Sequence, residues 1–133
     1  MANNDTAFRL RLIGPFRLER PDGTRIEISS KRSQALLAML ACAGSGERSR
    51  PWLQDRLWGA RAPEQGAASL RRELSNLRQL VNVDGTEWLL SAHGRVWLNL
   101  DCVDVDCRRL DLLPDGELLE GIDIPGEEMF EDW

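Results

Sequence analysis

The chain has 133 residues, 42% of them hydrophobic, and a formal net charge of −5. That is enough for one modest core with an extension but not for two domains, and no run of eighteen apolar residues is present to cross a membrane. The polar N-terminus MANNDTAFRLRL lacks the apolar centre of a signal peptide, so the sequence reads as a cytoplasmic protein with no membrane partner. Charge is unevenly spread: residues 1–100 carry 15 Arg and Lys against 10 Asp and Glu, whereas residues 101–133 carry 2 against 12. A basic body with an acidic appendage suggests a nucleic-acid face that the overall pI of about 4.9 conceals.

In chain order, FRLRLIG (8–14), FRLER (16–20) and TRIEI (24–28) alternate apolar and polar residues with period two, broken by Pro15 and by the turn Pro21-Asp22-Gly23. They predict an antiparallel meander with Phe8, Leu10, Leu12, Phe16, Leu18, Ile26 and Ile28 on its buried face. Ser29 or Ser30 then caps a core helix over 30–43, with Ala35, Leu36, Met39, Leu40 and Ala43 at helical spacing and Gly44 as its stop. Ser49 as N-cap and Pro51 in the first turn open a second helix, which carries Trp52, Leu53, Leu57 and Trp58 and ends at Gly59. ARAPEQG (60–66) reads as a connection. EWLLS (87–91) and RVWLNL (95–100), separated by Ala92-His93-Gly94, predict a hairpin.

Between them, GAASLRRELSNLRQLVN (66–82) forms an amphipathic third helix. At 100° per residue, Leu70, Leu74, Leu77 and Val81 share one stripe. Ala68, Arg72, Ser75, Asn76 and Gln79 lie opposite, flanked by Arg71 and Arg78. This outward face is cationic and free of acids, since Glu73 falls at the boundary of the buried stripe, where it is placed to brace a neighbouring element. Taken alone, such a face reads first as a solvated surface; its place after a short turn makes the two helices a helix-turn-helix.

Other chemistry finds little support. Gly44-Ser45-Gly46 lacks the Gly-Lys-Ser/Thr ending of a phosphate loop and follows a helix, not a strand. Asp101, Asp104 and Asp106 have no His, Glu or glycine-bearing calcium loop beside them and read as solvated edge or cap residues. Cys42, Cys102 and Cys107 are odd in number, fit reduced thiols better than a disulfide framework, and are spaced too widely for a structural zinc site. His93 has neither acid partner nor nucleophile. The chain reads as a non-enzyme with no metal and no cofactor.

The combination of Leu12-Ile13-Gly14-Pro15-Phe16, Ser30 to Leu40 (SKRSQALLAML), Leu57-Trp58, Ala68-Ser69-Leu70-Arg71 and Val103-Asp104-Val105 resembles the OmpR/PhoB-type winged-helix DNA-binding domain. It is most similar to the N-terminal module of the Streptomyces antibiotic regulatory protein (SARP)-like bacterial transcriptional activators. The resemblance implies an α+β winged helix-turn-helix over residues 1–107, with an N-terminal antiparallel sheet, three helices and a C-terminal hairpin wing. It makes residues 108–133 an acidic linker, in which Gly116–Gly121 and Phe130-Glu131-Asp132-Trp133 look like the start of a helical-repeat activator domain. On that reading the chain is a fragment of a larger regulator; the alternative is a tail that folds back and buries Phe130 and Trp133.

The resemblance also implies a mode of binding, with the third helix in the major groove of double-stranded DNA and the wing on the adjacent minor groove or its phosphates. Arg72, Asn76 and Gln79 then read base edges with Ser75 beside them, and Arg71 and Arg78 face phosphates. Arg95, and more weakly His93, belong to the wing. Arg50 sits at the positive end of the second helix, and Trp52 beside it reads either as a phosphate contact or as core. Lys31 and Arg32 are placed equally for solvent and for backbone contact. RNA polymerase and a second copy on direct-repeat sites are the further partners implied. The competing function is a winged helix that docks on protein through the same basic face.

Overall fold

The computed structural model describes residues 7–83 and 85–108; the acidic segment from 109 onward, including Gly116–Gly121 and Phe130–Trp133, lies outside them. The first strand, β1 (Phe8–Arg11), pairs antiparallel with β2 (Arg17–Glu19), Leu10 opposite Leu18. The three-stranded meander expected from 8–28 stops there. Residues 24–28 contribute one bridge, Glu19 to Arg25, and the Ile26 N–H donates to the Leu18 carbonyl at 2.9 Å. The Ile28 carbonyl is then taken by the Gln34 side-chain amide at 2.7 Å, which turns the chain into the helix that follows. Alternation was real, since Ile26 and Ile28 are both buried, but burial alone does not make a ladder.

The other edge of β1 is filled by β6 (Val103–Val105), which runs parallel to it with Leu10 opposite Val105. The sheet order is β2-β1-β6, so it is mixed and not purely antiparallel. Asp106 directly after β6 corrects a second expectation. It is 3% exposed, not solvated, and its carboxylate accepts from the Leu12 and Ile13 N–H groups at 2.9 and 3.1 Å, satisfying the end of β1.

Helix α1 (Lys31–Cys42) is capped by the Ser30 hydroxyl, which accepts from the Ser33 N–H. Every residue from Ala35 to Ala41 is fully buried, so this helix is the centre of the core and not merely one wall of it. A short strand, β3 (Glu47–Ser49), leads into α2 (Arg50–Trp58), which is capped by Ser49 with Pro51 in its first turn. Helix α3 (Pro63–Val81) starts three residues earlier than its apolar period indicates. Pro63 takes the first helical position, where a missing N–H costs nothing, so Pro-Glu-Gln-Gly is helix and not connection. Gly66 lies where α2 and α3 come close: a Cβ there would stand 3.0–3.3 Å from the Gln54 side chain, which would have to shift and whose amide donates to the Pro63 carbonyl.

The hairpin comprises β4 (Leu89–Ala92) and β5 (Arg95–Leu98), with β3 added to form a second sheet of order β3-β5-β4. Its tip is a two-residue turn: His93 and Gly94 both have positive φ, 52° and 74°, which suits the right-handed twist of the strands. Trp88, fully buried, stands 5.2 Å from Phe8 between ring centres, and its indole N–H donates to the Val81 carbonyl at 2.7 Å. One core therefore joins the N-terminal sheet, the three helices and the root of the hairpin. No helix of the described residues is long and apolar enough to cross a membrane.

Candidate nucleic-acid interface

Leu70, Leu74, Leu77 and Val81 are all buried, each contributing roughly 1.5–3 kcal/mol of transfer free energy and setting the rotation of α3. Arg71, Arg72, Ser75, Asn76 and Gln79 are consequently exposed on its far side, with Arg78 half-buried beside them. Glu73 is turned inward, where its carboxylate accepts hydrogen bonds from the hydroxyls of Ser30, at 2.7 Å, and of Ser33. Glu73 thus ties α3 to the cap of α1 and is removed from the basic face, and the other acid of the helix, Glu64, lies in its first turn.

Between α3 and the hairpin runs a groove of about 440 Å³ lined by Arg50, Arg71, Ser75, Arg78, Gln79 and Glu87, among others. Its two walls are held in register by contacts that sequence patterning did not reveal. Asn82, at the end of α3, accepts from the Trp88 and Leu89 N–H groups with its side-chain oxygen, at 3.0 Å each, and donates from its amide to the Leu89 carbonyl at 2.9 Å. At the other end, the Arg50 N–H donates to the Gly94 carbonyl at 2.8 Å, and the Arg50 guanidinium donates to the Ser91 hydroxyl at 2.7 Å. Arg50 therefore fastens the start of α2 to the wing while lining the groove.

Elsewhere the basic residues divide into engaged and open ones. Arg95, beside the wing turn, pairs with Glu47 of β3 and remains half-exposed, while His93 is exposed at the tip. Trp52 lies between two guanidinium groups, Arg48 and Arg56, at 4.0 and 3.9 Å from its ring centre, and packs partly against the core. Arg32 donates to the Leu57 carbonyl at 2.7 Å and lies over the Trp58 ring, so it joins α1 to α2; Lys31 is exposed. Arg61, which the periodicity passed over because it precedes the helix, is exposed at the start of α3 and donates to the Ser69 hydroxyl at 2.8 Å. Among the described residues no cluster of three or more His, Cys, Asp or Glu side chains is placed to hold a metal ion.

No protein-family model matches the chain, and no curated protein does. Among solved structures it is similar to Mycobacterium tuberculosis EmbR, a SARP-family regulator, in the structure of that protein in complex with a low-affinity phosphopeptide. Identity is 26% with a TM-score of 0.61; the match covers 72% of this chain and 26% of EmbR, so the chain spans about a quarter of that protein's length. The fold is accordingly an α+β winged helix of the SARP-like kind, similar to part of a transcription regulator.

Proposed function

We propose that this chain is a sequence-specific, double-stranded DNA-binding domain of a bacterial transcription regulator, with α3 in the major groove and the β4–β5 hairpin as its wing. The observation that carries the reading is the exposed, acid-free face of Arg71, Arg72, Ser75, Asn76 and Gln79, bordered by a groove and a wing turn. Planar guanidinium and amide groups at those positions have the donor and acceptor geometry that base edges demand: Arg72 suits guanine, and Asn76 and Gln79 suit adenine. Arg71, Arg78 and Arg95 supply charge for phosphates, and Arg50 acts chiefly by positioning the wing. RNA polymerase and a second copy on a direct repeat remain the partners that the family resemblance implies.

Titration of a duplex selected from random sequence tests the proposal. With about four to six phosphates neutralised, log affinity should fall against log salt with a slope of roughly −4 to −5. A slope near zero would replace DNA with protein as the ligand of this face.

A further inference from the structure

The winged-helix reading leaves one pair of reactive groups without a role. Cys42, the last residue of α1, and Cys107, in the 3-10 turn Asp106–Arg108 that follows β6, lie 65 residues apart in sequence, yet their sulfurs are 3.6 Å apart. Both are half-buried, so each retains access to small solutes. The corner they occupy is tightly held: Arg108 donates to the carbonyls of Ala41, Ala43 and Gly44 at 2.7–3.0 Å, and Asp106 holds the end of β1.

We propose that Cys42 and Cys107 are a dithiol modification site, converted by hydroperoxides into an intramolecular disulfide that bonds the end of α1 to the turn after β6. The sulfurs must close by about 1.5 Å from their present separation to reach a disulfide bond length.

The two thiols are inequivalent, which sets the order of events. Either sulfur can donate across this contact; with Cys42 as donor, the hydrogen bond holds the Cys107 thiol below the usual range with help from the Arg108 charge, against the opposing pull of burial and of Asp106. The same hydrogen bond, reinforced by burial, pushes Cys42 up. Cys107 is therefore the thiol that ionises more readily of the two, and its thiolate is the nucleophile. Its thiolate sulfur attacks one oxygen of hydrogen peroxide, the O–O bond breaks, and Cys107 becomes a sulfenic acid as hydroxide leaves and combines with the proton that Cys107 gave up on ionising, yielding water. The Cys42 sulfur then attacks that sulfenic sulfur, the S–S bond forms and water departs with the Cys42 proton. Two thiols are oxidised by two electrons, and one peroxide is reduced. A thiol reductant reverses the bond by exchange.

The test uses the full chain and hydrogen peroxide. Two of its three thiols should be lost while the protein stays monomeric and should return with dithiothreitol. Cleavage before aspartate separates Cys102 from Cys107 at Asp104 and Asp106, so mass mapping of the unreduced digest should join the Cys42 peptide to the Cys107 peptide. A Cys102→Ser chain should form the same bond, and in a Cys42→Ser chain dimedone should trap a sulfenic acid on Cys107. A bond through Cys102, a covalent dimer, three surviving thiols, or dimedone on Cys102 in place of Cys107 would each overturn the proposal.

Discussion

Arg72 and Arg95 separate two ways in which an arginine can serve a DNA face. Arg72 is exposed on α3 among groups able to read bases. Arg72→Ala should cost about 1–3 kcal/mol on the preferred duplex and relax specificity at a single base position, measured by competition among single-base variants of the site. Arg95 is already paired with Glu47, so any phosphate must displace that carboxylate. Arg95→Ala should weaken all sequences alike. Removing the competitor has the opposite sign: Glu47→Gln should tighten binding and steepen the salt slope, because a surface pair contributes only about 0–1 kcal/mol and gives way readily to phosphate. Exchanged phenotypes between Arg72 and Arg95 would mean that α3 is rotated relative to the groove.

At the scale of elements, the walls of the interface are joined by hydrogen bonds from two polar side chains of α3 and its C-cap, Glu73 and Asn82. Glu73→Ala would leave the buried Ser33 hydroxyl without its acceptor and sever α3 from the α1 cap. Loss of hydrogen bonds to a charged group should lower stability by about 1.5–3 kcal/mol, read as a shift in the urea midpoint at constant m. Asn82→Ala removes three hydrogen bonds from the joint between α3 and β4 and should cost about as much; DNA affinity should fall further than the loss of folded protein explains. These two residues also show what the sequence made legible. Glu73 was placed as an inward brace by its angle on the helical wheel. Asn82 gave no periodic signal, because its role depends on where Trp88 and Leu89 arrive after the loop. Strand β3 and the parallel pairing of β6 were hidden for a related reason: three-residue strands carry too few alternations to register, and pairing across 95 residues leaves no local trace. Helices α1 and α2 are readable from their serine caps and α3 from its apolar stripe, all local signals, and the difference at Pro63 arises because a proline marks a turn and a helix start equally well.

For the whole molecule, the opposed charges of the two parts of the chain have a consequence for binding. Residues 115–133 carry eight acids and no base, and they are attached covalently to a domain whose α3 face is cationic. A chain of residues 1–114 should therefore bind duplex DNA more tightly than residues 1–133 at low salt, with the difference shrinking as salt screens both contacts. Equal affinities at low salt would show that the acidic segment does not compete for that face.

The parallel pairing of β1 with β6 also determines when the domain can be finished. Without β6, the first sheet is a two-strand hairpin, an arrangement of marginal stability in water. Residues 103–105 leave the ribosome long after residues 8–11; at roughly 5–20 residues per second the interval is on the order of 5–20 seconds. Throughout that interval Phe8 and Leu10 have no third strand beside them, and Leu12 has no Asp106 to hold its N–H. The helices, whose contacts are nearer in sequence, can gather first, so the strand that begins the chain is among the last to be secured.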